Sequence, residues 1–442
     1  MSKISVGCLL GAFSATSWRL EIPRFRPTRA LWLAIGGAAL AVASPGFAQT
    51  NWLQTYLGAT HESYNAKETT ISTSNVANLQ SPWGTGVAGG VTAFALDAGT
   101  IYAQGQGEGG NDPNLAAIDA ANGTTLWTIT TGNNGIGLNN TIATDGARVF
   151  AGCSVTPANG HGNTSGGVCA YDENNGKLKW RYFNACNCLP ESEVIAPLVY
   201  ANGVVYFGYG YGGAGGSEYL VAADAKTGAV LWTFGTGTSN TMGSAAPTVG
   251  NGMVYFTCGG MVGGSNGFSG VCAVSLSGPH DLVWSTNFGT GTMGLTLGGD
   301  VLYVNGGSAG EFAALNATNG TPIWTTEGNS SQFPVSLASN IVYATGSDGY
   351  VHALHALTGV EKWSLYLASE SSVSLANGVL YDDQQGSNNP PTEAYSMKNG
   401  SALWSVPGSA STLHPPPIIA NGTLYITNAE CGSVCAYTLP TE

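Results

Sequence analysis

Several stretches of this sequence carry side chains whose types and spacing suit chemistry. Asp382, Asp383 and Gln384 set oxygen donors in a row, the ligand type that calcium takes; a polar hairpin loop is the competing reading. His352 and His355 are three apart, which suits a shared metal on a helix, but in a strand they point to opposite faces. Cys186 and Cys188, in "NACNC", either close a tight disulfide ring or form a redox pair. There is no C-x-x-C-H haem-attachment sequence and no zinc-like pair of cysteine pairs, so no metal site is expected. Carboxylates abound as isolated loop residues, and no glycosidase-like pair stands out among them. A further group shows only when the chain is aligned on its Asn-Gly turns. Asn139, Glu193, Ser244, Thr292, Gln332, Glu370 and His414, with Val91 in the first unit, then fall just before successive short apolar strands. Polar groups converging on one rim could hold a small polar ligand or a cation, with Glu193, Glu370 and His414 foremost; a solvated rim is the alternative.

The elements that would position these residues are repeats. Trp83, Trp127, Trp180, Trp232, Trp284, Trp324, Trp363 and Trp404 recur at intervals of 44, 53, 52, 52, 40, 39 and 41 residues. Such a period fits one blade of a propeller. Each unit reads as a small apolar strand, a tight turn, a strand with an aromatic ("VVYFG", "MVYFT", "VLYVN") and a Gly-rich loop. A third strand ("LVAADA") follows, then a Thr-Gly or Asn-Gly turn, and a fourth strand ending in Trp. Asn-Gly suits such hairpins because both central positions require positive φ. The expected fold is all-β: an eight-bladed β-propeller of four-stranded antiparallel blades.

The ends of the chain fit that scheme. The last unit stops after its third strand, whereas "NVANLQSPWGTG" supplies a Trp strand with none before it. Residues 75–86 are therefore expected to complete the last sheet and close the ring with an N-terminal strand. The eight tryptophans are expected to wedge between neighbouring blades. Burying one indole removes roughly 150–250 Å² from water, worth about 4–6 kcal/mol as an upper bound.

Removal of an export leader leaves eight cysteines, an even number that favours disulfides. Cys153 with Cys169 and Cys258 with Cys272 fall on the second and third strands of one blade, and Cys431 with Cys435 in the matching hairpin of the last. Adjacent antiparallel strands bring Cα atoms within disulfide reach. Closing a loop of about 15 residues contributes about 3 kcal/mol.

Residues 1–48 read as a signal peptide: Arg24, Arg26 and Arg29, then an apolar run from Ala30 to Ala43, then small residues before Ala48. Residues 49–74 form an N-terminal arm, and 75–442 the propeller. The whole chain has 13 basic and 26 acidic residues, of which the leader holds five and one; the mature net charge is therefore −17. So acidic a surface repels phosphate backbones, which excludes nucleic acid as a partner. No later segment is long and apolar enough to span a membrane. The protein is expected to be periplasmic or secreted, and a monomer.

The unit "G-x-V-x-A-x-D-A-x-T-G-x-x-x-W" resembles the repeat of pyrroloquinoline quinone (PQQ)-type propellers. The stretch from Asn51 to Trp83 is similar to the opening of quinoprotein alcohol dehydrogenases. That resemblance implies PQQ on the ring axis, packed between a disulfide of adjacent cysteines and a Trp. It also implies a calcium or lanthanide ion held by Glu, Asn and Asp, with an Asp as base. Here no two cysteines are adjacent, and Trp52 is the one mature tryptophan outside the repeats. About 394 mature residues over eight blades leave roughly 49 each, little room for an elaborate site. Non-enzymatic propellers share the repeat, among them a scaffold lipoprotein of outer-membrane assembly. The leading expectation is an exported, non-catalytic binding module without a cofactor, whose partner is a protein or a small polar or glycan ligand. The alternatives are a PQQ- and calcium-dependent alcohol or sugar dehydrogenase and a polymer-acting hydrolase or lyase.

Overall fold

The computed structural model describes residues 50–88, 90–105, 114–132, 141–155, 165–182, 192–193, 197–211, 218–237, 246–258, 270–288, 293–307, 310–327, 330–331, 333–367, 372–384, 391–407, 415–428 and 431–441. They fall within one compact unit, Ala48–Glu442. Among them the secondary structure is strand throughout, apart from one 3-10 turn at Val76–Asn78. Eight antiparallel sheets, here blades 1–8, follow one another along the chain. Blade 1 runs Val91–Asp97, Thr100–Gly105, Asn114–Asp119 and Thr125–Thr130, each strand paired with the next. Blades 2–7 repeat this order. In blade 8, Ile418–Ala420, Thr423–Thr427 and Val434–Thr438 are followed by Gln80–Thr85, with Trp83 opposite Ala436.

One row of side chains explains why the motif recurs. In every blade the second-strand aromatic stands opposite a third-strand alanine, which stands opposite the tryptophan. Examples are Tyr102–Ala117–Trp127, Phe150–Ala170–Trp180 and Tyr425–Ala436–Trp83. Alanine is small enough for the two rings to meet across it. In seven blades their centroids are 5.8–6.3 Å apart. The ladder shifts register just before each tryptophan, a bulge that re-aims the indole.

The indoles then dock on the next blade. Trp180 Nε1 donates to Ala225 O at 2.9 Å, Trp284 Nε1 to Ala317 O at 2.9 Å and Trp324 Nε1 to Ala356 O at 2.8 Å. The turn glycine of that next blade lies flat under the ring. Gly228 has φ +72°, and a methyl group there would come within 2.7 Å of Trp180. Two interfaces differ. Trp232 stacks on His280 at 4.6 Å, and Trp404 meets Tyr437 edge-on at 5.2 Å. Blade 8 has no turn between its third and fourth strands, because its outer strand comes from residues 80–85; Tyr437 takes that place. Only Trp180 and Trp284 are buried, both 8% exposed, while the other six are half-buried. The fourth strand is outermost, so water reaches the rim side of the indole, and 4–6 kcal/mol overstates its contribution.

The core divides into eight apolar clusters, each shared by two neighbouring blades. One of them joins Phe94 and Ile118 of blade 1 to Ile418 and Tyr425 of blade 8. Disulfides join Cys153 to Cys169, Cys258 to Cys272 and Cys431 to Cys435, with Cα atoms 5.8, 5.8 and 5.9 Å apart. The first two run diagonally: Cys153 stands opposite Gly167 and Cys258 opposite Gly270. Cys186 and Cys188 lie outside the described residues.

Candidate functional site

The rim residues singled out from the sequence lie outside the described residues in nearly every case: Asn139, Ser244, Thr292, Gln332, Glu370 and His414. Glu193 is described in its backbone alone, paired with Gly210. Val91 opens the first strand of blade 1 and is buried.

The axis is approached instead from the arm. Between Trp52 and Asn65 the chain passes the first strand of every blade, near the end of each. Trp52 exchanges backbone hydrogen bonds with Leu96 (2.8 Å both ways), and Leu53 O accepts from Thr144 N. Ala59, Thr60, Glu62 and Ser63 offer their carbonyls to the amides of Val249, Leu297, Leu337 and Leu375 at 2.8–3.0 Å. Tyr64–Asn65 then runs parallel to Leu375–Ala376. Where the main chain does not pair, a carboxamide replaces it. Gln54 accepts from Tyr200 N at 3.0 Å and donates to Tyr200 O at 3.3 Å, and Asn65 donates to Ile419 O at 2.7 Å. The innermost strand of a blade is a sheet edge with unpaired polar groups, and the arm pairs with it blade after blade.

Three arm side chains carry perturbed protonation. His61 is buried between blades 4 and 5, its Nδ1 3.2 Å from Leu295 O and 3.1 Å from Thr248 Oγ1. Burial lowers its pKa to about 4, the Leu295 carbonyl opposing part of the shift, so the ring is neutral near pH 7. Tyr56 meets His61 edge-on at 5.3 Å. Burial raises its phenol above the ordinary value, and Ser372 draws it part of the way back. Burial also raises the Glu62 carboxyl. Beyond the axis, Glu68 accepts from the amides of Thr70 (2.7 Å), Ile71 (3.0 Å) and Gly422 (2.9 Å), tying the arm to blade 8.

At the opposite ends of the strands, polar side chains bind blade to blade. Asn305 donates to Phe333 O at 2.9 Å and Thr345 O at 3.1 Å, and accepts from Ser331 N at 2.8 Å. Gln104 donates to Gly152 O at 3.1 Å. Asp383 accepts from Thr392 Oγ1 at 2.6 Å and from Thr427 Oγ1 at 2.8 Å. Gln384 donates to Glu393 at 2.9 Å. The Asp382–Gln384 run is thus two strand residues and one that follows, with Asp383 spent on joining blades 7 and 8. His352 and His355 lie on one strand and make separate contacts, with Glu361 and Asn340. Among the described residues no group of His, Cys, Asp or Glu could hold a metal ion.

Sequence reading missed the arm as the element that meets every blade. Its residues occur once, so a comparison of repeats cannot find them. The available signal was a set of amide, hydroxyl and imidazole side chains at Gln54, His61, Ser63 and Asn65, close to the isolated Trp52.

Eight four-stranded sheets keyed by aromatic–alanine–tryptophan rows define a PQQ-type β-propeller. The chain belongs to the family described as outer membrane protein assembly factor BamB, whose model matches residues 63–260 and 271–435. Solved structures share the fold. A quinohemoprotein alcohol dehydrogenase from Comamonas testosteroni is 14% identical with a TM-score of 0.70, over 89% of this chain and 81% of that one. A europium-containing methanol dehydrogenase is 14% identical with a TM-score of 0.67, over 86% and 89%. BamB from Moraxella catarrhalis is 16% identical with a TM-score of 0.57, over 83% and 99%. No curated protein matches the chain by sequence.

PQQ in the arrangement implied by the resemblance needs a disulfide of adjacent cysteines and a stacking indole. The described disulfides join cysteines 16, 14 and 4 residues apart. Trp52 is fully buried against blade 1, its Nε1 donating to Thr55 O at 3.4 Å. The described residues do not fit that arrangement. The disulfides are compatible with an extracytoplasmic location, and no described helix is long and apolar enough to cross a membrane.

Proposed function

We propose that this protein is an exported, non-catalytic propeller that binds a partner protein at the end of the ring opposite the arm. One observation carries this reading: the described side chains best suited to chemistry are spent on structure. Asp383, Asn305, His61 and Glu68 each join one blade to the next or the arm to a blade. The arm occupies the end of the axis where first strands finish, which leaves the end where they begin as the mouth. Glu193, Glu370 and His414 would stand there. Family membership with an outer-membrane assembly factor supports a protein as the partner.

Site-specific photocrosslinking in intact cells tests the reading. A photoreactive residue at Glu370 or His414 is expected to give a covalent adduct of defined mass, and one at Asn122, in a turn of blade 1, none. Loading the purified protein with PQQ and calcium is the opposing test. Saturable uptake with dye-linked alcohol oxidation would overturn the binding reading in favour of a dehydrogenase.

A further inference from the structure

Among the described residues, blade 6 exposes more large apolar side chains than any other blade: Tyr350, Leu357, Val360 and Tyr366 are 38, 56, 63 and 59% exposed. The two tyrosines stand opposite each other on the third and fourth strands. Their ring centroids are 5.1 Å apart, inclined at 56°. His352, two residues along on the same face, lies 6.1 Å from the Tyr350 ring. Its Nδ1 donates to Glu361 Oε2 at 2.7 Å, and Ser364 Oγ donates to Glu361 Oε1 at 3.0 Å. Asp348 Oδ2 is 3.4 Å from the other ring nitrogen. Glu361, held from both sides, thus connects to the exposed aromatic pair through His352.

We propose that this patch docks an arginine side chain from a basic segment of a partner protein. The inference deepens the partner-binding reading and rests on it. Tyrosine faces carry negative potential and attract cations, and the planar guanidinium stacks on them better than an ammonium does. Glu361 accepts two hydrogen bonds, and a carboxylate has about four acceptor sites, so it retains capacity for a guanidinium. Its orientation is fixed before binding, which lowers the ordering cost. The excess of acidic over basic residues, 26 against 13, steers a basic partner toward any part of the surface, and the tyrosine pair supplies a place for it to stay. A sugar ring also stacks on tyrosine but gains nothing from that field.

The test uses the full mature protein and a fluorescent arginine–glycine repeat peptide at low salt, read by anisotropy. The double substitution Tyr350→Ala/Tyr366→Ala leaves the net charge unchanged and is expected to weaken binding about tenfold. Tyr350→Phe/Tyr366→Phe keeps the rings and should bind as the parent does. Glu361→Gln should weaken binding and flatten its salt dependence. Parental affinity in the double alanine variant would overturn the proposal, leaving only general acidity. A preference for cellohexaose over the peptide would overturn it in favour of a glycan. Dye-linked oxidation on the same sample reports separately on the partner-binding reading, since turnover would sink that while leaving the tyrosine effect intact.

Discussion

The blade interfaces and the N-terminal arm hold the same ring together by different physics. Each interface is apolar and repeated: an indole laid over an alanine, docked on the next blade's turn. The arm is written once, and it acts through main-chain hydrogen bonds and carboxamides at the inner edges. Repetition spreads the first kind of stability over many near-equivalent contacts. The second is concentrated in fourteen residues, Trp52 to Asn65, so damage there reaches every blade at once.

That contrast orders the expected effects. Deleting residues 50–65 removes at least eight backbone hydrogen bonds to the first strands together with the buried Trp52. At about 1 kcal/mol per bond, the loss is on the order of 5–10 kcal/mol. It should lower the denaturant midpoint more than any single blade substitution; a smaller shift than that of Trp180→Ala would reverse the contrast. Trp180→Ala empties a buried dock and should cost about 3–4 kcal/mol. Trp404→Ala, half-buried against Tyr437, should cost less in the same titration.

Glycine substitutions sharpen the comparison among interfaces. Gly228 and Gly278 have nearly the same φ, +72° and +73°, but only Gly228 lies against an indole. Gly278→Ala should cost about 1 kcal/mol from φ alone. Gly228→Ala should add about 1–3 kcal/mol for the clash with Trp180. Equal costs would show that the glycines serve the turn and not the dock.

The remaining effects are pH-dependent, and the two regions differ in sign. His61, on the arm, has its pKa lowered by burial from 6.5 to about 4. Between those values the unfolded chain binds the proton and the folded one does not, so stability falls as pH drops from 6.5 toward 4. The loss is at most about 3 kcal/mol. His61→Gln should flatten that limb of the curve. Glu173, in a turn of blade 2, has its pKa raised from 4.5 to about 7 by burial, with Asp97 and Asp145 adding to the shift and Thr144 opposing it. Here the folded state holds the proton more tightly, so stability present below pH 4.5 is lost as pH rises through 7. Glu173→Gln should therefore raise the melting temperature at pH 8 relative to the parent and change it little at pH 4.5.

The repeat made the blades legible. An Asn-Gly turn requires positive φ, alternating apolar residues require a sheet, and a tryptophan at a period near 40–53 residues marks each outer strand. Local chemistry dictates these features, so they survive without knowledge of the neighbours. The role of the alanine opposite each tryptophan was on the page in "VAADA" and "VHALHA", but its meaning needed the register. The proposed rim at Glu193, Glu370 and His414 rests on alignment alone, because polar residues in loops lack a periodic constraint.

By itself, then, the sequence determined the number of blades, their strand order and their docking residue, since each follows from short-range turn geometry and hydrophobic alternation. Tertiary structure alone decided the arm's path along eight inner edges, the stacking of His280 and Tyr437 where glycine docks fail, and the exposed tyrosine pair linked through His352 to Glu361. Those depend on which groups meet across hundreds of residues, and a contact made once leaves no period to read.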